Sequence, residues 1–315
     1  MKQISDKDVA VIILNWNAYM DTFECLKSLE HLTYTHFHIF LVDNDSKDDS
    51  FKKLQQDYEK GKFNLSITFI QTAANLGFAG GNNVGIKAAY NRGYQYFWLL
   101  NNDTVVDSNA LTPLVDAIKN YEGVGIVGSK IYYYGTKKIW FAGGKVNKWT
   151  GKTKHIGYRE EFSKKHNNTI EVDYITGCSL LFRKELINQL GYMSEDYFLY
   201  YEETEYNLKT KMGGWKILFI PESIVYHKVS NSSGGEENIA PYYDYYDLRN
   251  SFILIKRTQS NLKTIVCLFY LFVKFFKKLI KILIKRHKNK KVRIRYLFLG
   301  LKDALSEKMG KHIDI

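Results

Sequence analysis

Asp103 follows an apolar run and two asparagines in LLNNDT, residues 99–104. A carboxylate at the end of a strand suits a divalent cation. Hard cations take oxygen ligands, and magnesium is commonly shared between one or two carboxylates and substrate phosphates. The same residue could equally cap a turn or the next helix. A second acidic group is formed by Glu202, Glu203 and Glu205 in YYEETEY, residues 200–206. The helix dipole favours carboxylates near a helix N-terminus, so a solvated face accounts for them. Crowded carboxylates also raise one another's pKa, which suits a general base. His227, in PESIVYHKVS, follows an apolar run and is either a structural group or a neutral metal ligand. The fourth feature is NLGFAGGNNVG, residues 75–85. Its glycines allow close backbone approach, and a helix N-terminus behind them favours phosphate. It lacks the GKS/T of a Walker loop and the spacing of a dinucleotide fingerprint, so an ordinary strand-to-helix connection fits it as well.

These groups need elements to position them. Residues 9–14 (VAVIIL), 38–42, 66–70, 96–100 and 124–128 are short apolar, β-branched or aromatic runs that predict buried strands. Helical spacing over 18–30, 47–60, 82–92 and 109–120 separates them. Such alternation predicts a doubly wound, mostly parallel α/β sheet with helices on both faces. Ligands bind at the carboxyl ends of the strands in such sheets. The clusters Asn15-Trp16-Asn17, Asp43-Asn44-Asp45 and Asn101-Asn102-Asp103 therefore converge on one crevice. Residues 130–172 read as short antiparallel strands, 174–182 as a strand, 183–190 and 201–212 as helices, and 216–220 as a strand closed by Pro221. Residues 230–240 are polar and read as a mobile loop.

The 315-residue chain carries a net charge of +12, concentrated in its tail. Residues 256–315 hold 17 Lys/Arg and 3 Asp/Glu, whereas residues 1–255 hold 28 and 30. Lysines at 274, 277, 278, 281 and 285 cover one arc of a helical wheel and apolar residues the rest. This predicts a basic amphipathic helix lying on an anionic membrane surface through residues 262–295. The alternative is a helix packed on the body with its lysines in solvent. No nucleic acid is expected, because the basic residues alternate with an apolar face rather than with stacking aromatics. Cys25, Cys178 and Cys267 have no paired spacing and read as buried thiols. The polar start MKQISDKD predicts no signal peptide.

In order and spacing, VIILNWN, VDNDSKDDS, NLGFAGGNN, LLNNDT, TGCSLLFRKE, GYMSEDYFLYYEETEYNLKTKMGGWKILFIPESIVYHKVS and YYDLRNSF, together spanning residues 11–252, closely resemble the inverting family 2 glycosyltransferases. The likeness is greatest to the rhamnosyltransferase-like branch. It implies a GT-A fold over 1–257, with a nucleotide-binding half (1–105) and an acceptor half (106–257); residues 258–315 are the helical membrane-associating tail that the lysine arc predicts. It also implies a UDP- or dTDP-sugar donor and a Mg2+ or Mn2+ cofactor. By the same resemblance, Asn15, Trp16, Asn17, Asp43 and Asp45 hold the base and ribose. Asn75, Gly77, Phe78, Gly81 and Asn82 lie along the nucleotide. Asp103 and His227 match the metal ligands. Asn101 stands where the first aspartate of the metal motif is usual, and Asn102 lies beside it. Gly177 matches the strand under the donor sugar, and Arg249 an arginine facing diphosphate or acceptor. Glu203 matches the catalytic base, with Glu202 left open as an alternative.

The implied activity is transfer of rhamnose or another hexose to a lipid-linked or cell-surface glycan. It would take place in the cytoplasm, peripherally on the inner face of the cell membrane. A sugar nucleotidyltransferase would need a Lys/Arg-containing phosphate loop after the first strand, where NWNAYMD stands. A non-catalytic glycan- or lipid-binding protein on the same scaffold would not need Asp103, Glu203 and His227.

Overall fold

The computed structural model describes residues 8–161, 163–229, 239–284 and 289–312. The chain begins β1 (Val9–Asn15), α1 (Tyr19–Leu29), β2 (Phe37–Asp43), α2 (Ser50–Glu59), β3 (Ile67–Gln71), α3 (Gly77–Asn91) and β4 (Tyr96–Asn101). It continues through β5 (Thr104–Val106), α4 (Leu111–Asn120), β6 (Val124–Tyr133), β7 (Ile139–Phe141), β8 (Gly144–Val146), β9 (Thr153–His155), β10 (Ile170–Glu171) and β11 (Ser179–Arg183). Then come α5 (Lys184–Leu190), α6 (Glu202–Met212), β12 (Lys216–His227), α7 (Tyr242–Thr258), α8 (Asn261–Ile284) and α9 (Lys290–Ser306).

The apolar runs became strands because helices cover both faces of the sheet: Val9 to Ile13 are fully buried. The main sheet has the order β10-β12-β6-β11-β4-β1-β2-β3, with β5 added to β12 and β7 to β6. β4, β1, β2 and β3 are mutually parallel, as are β6 and β12. β11 is inserted antiparallel between β4 and β6. The fold is the expected mostly parallel α/β sheet with a helical C-terminal segment.

The details differ from expectation at several points. α3 starts at Gly77 rather than near residue 82, and β11 starts at Ser179 rather than 174. Pro221 does not close the last strand. β12 runs on to His227, and its register against β6 shifts between Ile220 and Ile224. A residue without a backbone N–H is tolerated at such an irregularity. The expected mobile loop lies at residues 230–238 outside the described residues, as does Lys285.

The tail is also corrected. The lysine arc of α8 does not face solvent as a unit. Lys274 Nζ lies 2.9 Å from Asp247, and Lys278 lies 3.0 Å from Asp244 and 2.9 Å from Asp247, both aspartates on α7. Arg293 of α9 reaches Asp244 at 2.7 Å. Only Lys277 and Lys281 of this series are exposed among the described residues. The tail therefore packs on the body through its cations. No described helix is long and apolar enough to cross a membrane.

Candidate active site

The ends of β1 and β2 form a polar floor. Asn15 is fully buried, donates to Asp43 (2.8 Å), Ser46 and Ser50, and accepts from Thr22 (2.7 Å). Asp43, also fully buried, accepts from Ser46 N–H (3.0 Å) and from Gln71 (3.3 Å). Both residues were expected to touch a nucleotide. Neither lines the cavity, and their polar atoms fix the β1–α1 and β2–α2 turns, since a buried polar group must find partners. Asn17 accepts from the backbone of Lys47 (2.7 Å), and Asp45 pairs with Lys47 (2.7 Å). Both have positive φ (50° and 61°), and neither lines the cavity. Trp16 does line it, as does Asn44, which the sequence placed in the crevice without giving it a contact. Asn44 donates to Asn75 (3.1 Å) and to the Gly77 carbonyl (3.1 Å), and so ties β2 to the start of α3.

Asn75, Gly77 and Phe78 form the next part of the wall. Gly77 has φ +74°, and a Cβ there would lie 2.2 Å from the Phe198 carbonyl oxygen, which accepts from Phe78 N–H at 2.9 Å. Only glycine allows this approach. Gly177 is glycine for a similar reason, because a Cβ would meet the Phe78 ring at 2.6 Å. Gly81 and Asn82, expected along the nucleotide, do not line the cavity. A Cβ at Gly81 would strike Leu14 at 2.4 Å, so it is a packing glycine between α3 and β1, and Asn82 donates to the Phe78 carbonyl within its own helix.

Asp103 sits in the turn between β4 and β5. Antiparallel pairing of β5 with β12 sets Thr104 opposite His227, and this register brings two residues 124 positions apart into contact. His227 Nε2 lies 3.1 Å from the Asp103 carboxylate, and both are nearly buried. Burial alone would lower the imidazole pKa. The neighbouring Cys178 sulfur and the Asp103 carboxylate favour the protonated ring over burial and raise its pKa, and a cation bound between Asp103 and His227 would take the place of that proton. The Trp140 ring packs edge-on against the imidazole at 4.5 Å. Asp103 and His227 fit a divalent cation that takes its remaining ligands from substrate phosphates and water. No group of three His, Cys, Asp or Glu residues among the described residues forms a closed protein cage. Asn101 lines the cavity next to this pair, whereas Asn102 turns away and donates to Thr22 (2.9 Å).

Glu202 and Glu203 open α6 after a strained approach. Phe198, Tyr200 and Tyr201 all have positive φ (68°, 67° and 77°). Such non-glycine conformations cost about 1–3 kcal/mol each and persist only where neighbours hold them. Asn250 of α7 donates to the carbonyls of Leu199 (2.8 Å) and Tyr200 (2.9 Å), and Arg249 Nη2 donates to that of Tyr197 (2.8 Å). Arg249, expected to face diphosphate or acceptor, is a fully buried clamp here. Its other donors reach Asn250, Tyr245 and the Gly310 carbonyl (2.9 Å). Burial raises the pKa of both glutamates, and the charge of Glu203 raises Glu202 further. Glu202 is almost completely buried, while Glu203 is half-buried and accepts from Thr204.

These parts meet in one cavity of about 600 Å³. Asp103, Glu202, Glu203 and His227 line it together with Trp16, Asn44, Asn75 and Phe78. A second group in the lining is Trp140, His155, Tyr158 and Tyr243, with the Trp140 ring against His227. Residue patterns did not single out the second group. Trp140 and His155 lie on three-residue strands whose sequence carries little periodicity. All three cysteines are buried and free.

The glycosyl transferase family 2 pattern matches residues 10–191. The chain belongs to that family. Two curated relatives give it company: a low-salt glycan biosynthesis hexosyltransferase of Haloferax volcanii and an N-acetylglucosaminyl-diphospho-decaprenol L-rhamnosyltransferase of Mycobacterium tuberculosis. The first is 23% identical over 252 residues, covering 78% of this chain and 75% of the relative. The second is 24% identical over 234 residues, covering 66% and 72%. The chain spans about half the length of the poly-beta-1,6-N-acetyl-D-glucosamine synthase of Staphylococcus epidermidis that it also matches (51%). Among solved structures, a mannosyltransferase from Pyrobaculum calidifontis in complex with GDP-Man and Mn2+ superposes with a TM-score of 0.59 at 14% identity, covering 96% of this chain and 88% of that one. The family 2 chain thus has a GT-A fold and is a glycosyltransferase.

Proposed function

We propose that this glycosyltransferase moves rhamnose or another hexose, with inversion, from a nucleoside-diphosphate sugar to a hydroxyl of a lipid-linked or cell-surface glycan. It would work peripherally on the inner face of the cell membrane. The observation that carries the reading is the meeting of Asp103, Glu203 and His227 in one cavity whose lining also holds Asn44, Asn75 and Gly77 and the rings of Trp140, Tyr158 and Tyr243. The Asn75–Phe78 wall receives the nucleotide, UDP or dTDP in this reading. The wall bearing Trp140, Tyr158 and Tyr243 takes the acceptor, since flat aromatic faces and few polar groups suit a sugar ring. Asp103 and His227 would hold Mg2+ or Mn2+, as Mn2+ accompanies GDP-Man in the mannosyltransferase complex. Such an ion neutralises charge on a leaving diphosphate.

Glu203 accepts the proton of the acceptor hydroxyl as its oxygen attacks the anomeric carbon from the face opposite the leaving group. Glu202 keeps its own proton, because it is deeper and its neighbour carries the charge. Two carboxylates pushed apart in this way divide the acid and base roles.

Nucleoside diphosphate release from a panel of nucleotide sugars, with and without Mg2+ or Mn2+, tests the reading. One donor should support metal-dependent turnover. Glu203→Gln should lower that turnover by about 10²–10⁴-fold with donor affinity unchanged. Equal turnover in Glu203→Gln would transfer the role to Glu202, and no turnover with any donor would leave only a binding protein.

A further inference from the structure

The outward face of α8 is apolar. Leu262, Ile265, Phe269, Phe276, Ile280 and Ile284 are all exposed, Phe269 by 71% and Ile284 by 77%. Spaced mainly by three, four and seven, they form one stripe. The helix has 24 residues and is about 36 Å long. Its opposite face is fixed to the body. Cys267, Leu271, Phe275 and Ile282 are buried there, and Lys274 and Lys278 reach the aspartates of α7. The roll of the helix is therefore set, and the apolar stripe cannot turn inward. A contiguous exposed patch of this kind marks an interface.

Charge selects the occupant. No Asp or Glu occurs between Asp247 and Asp303, a stretch with 16 Lys and Arg. Exposed Lys277 and Lys281 border the stripe on one side. On α9, exposed Arg295 and Lys302 flank Phe298 around a shallow depression. A second copy of this chain on the stripe would set one cationic rim against another. An anionic lipid leaflet satisfies both the stripe and the rim.

We infer that α8 lies in the plane of an anionic lipid leaflet with its apolar stripe in the headgroup–acyl boundary, and that this contact holds the acceptor wall of the cavity near the bilayer surface. The second clause rests on the transferase reading above; the first does not. Lys278 Nζ lies 4.8 Å from the centre of the Tyr243 ring, and Tyr243 lines the cavity. One helix diameter, about 10 Å, thus separates the cavity wall from the lipid. A hydroxyl carried on a lipid-anchored glycan is the acceptor that this spacing serves. The contact is made by the apolar stripe, with the lysines as a rim.

Flotation of the full chain with vesicles of equal parts phosphatidylcholine and phosphatidylglycerol tests this. The protein should float, and a measurable fraction should stay bound in molar salt, because apolar burial is not screened. Phe269→Asp and Phe276→Asp should each weaken binding about tenfold or more. Lys277→Gln and Lys281→Gln should each weaken it about fivefold at low salt. All four side chains are exposed, so melting temperature and transfer to a soluble acceptor should be unchanged. Absence of flotation overturns the inference. So does flotation that salt abolishes and the aspartates leave untouched, or self-association in sedimentation that the aspartates dissolve without any vesicle binding. Transfer to a soluble acceptor without flotation sinks the docking alone. Flotation without transfer from any donor sustains the docking and sinks the transferase reading alone.

Discussion

The two adjacent carboxylates at the start of α6 differ in burial, and that difference makes a measurable claim about Glu202. Burial and the neighbouring Glu203 charge raise its pKa well above the ordinary glutamate value. A raised folded-state pKa favours folding below the unfolded value of about 4.3, and that contribution is lost as pH rises through the folded value. Glu202→Gln removes the titration while keeping the shape. The melting temperature of Glu202→Gln minus that of the native chain should therefore grow as pH increases from about 4. A difference that stays flat or shrinks would show that Glu202 is charged in the folded protein.

At the scale of elements, the loop before α6 is held by α7 rather than by its own preferences. Asn250 holds the carbonyls of two residues with neighbours at positive φ, and Arg249 holds Tyr197. Asn250→Ala leaves those buried carbonyls unpaired, at about 1–3 kcal/mol. It should lower the melting temperature and kcat, and it should raise the donor KM too, because the Phe198 carbonyl of the same loop holds the Phe78 N–H of the Asn75–Phe78 wall at 2.9 Å. An unchanged donor KM would show that the α3 wall stands without the loop. The sequence around residues 197–201 has no glycine, and nothing in it announced three left-handed residues. Likewise nothing in the sequence around Arg249 showed that its donors face carbonyls across the fold. The strands were legible because burial on both faces leaves unbroken apolar runs. Asp103 was legible as a carboxylate at a strand end, whereas Glu203, at the start of α6, was singled out by its acidic neighbours and the family resemblance. The contact of Asp103 with His227 depends on the β5–β12 register, which three residues of β5 do not specify by pattern.

For the whole molecule, the body and tail are joined by buried charge. Asp247 accepts from Tyr201 (2.9 Å) as well as pairing with Lys274 and Lys278, so one carboxylate touches both the loop bearing Glu202 and the helix with the exposed stripe. Despite its burial, these cations hold Asp247 well below the usual carboxylate range. Removing one partner strands the other: Asp247→Asn should destabilise by about 3–5 kcal/mol, read by denaturant unfolding, and adding Lys274→Met should recover part of it. An additive loss in the double variant would show that the two side chains are not coupled. The lysine arc of α8 was read correctly as an arc. Which side of it faced out depended on two aspartates on a neighbouring helix.

The grip of Arg249 on the carbonyl of Gly310 ties the turn before α6 to a residue about sixty positions further along the chain. Truncation before residue 308 removes that anchor, so the turn presenting Glu202 and Glu203 should loosen, while Asn15 and Asn44 keep their partners at the ends of β1 and β2.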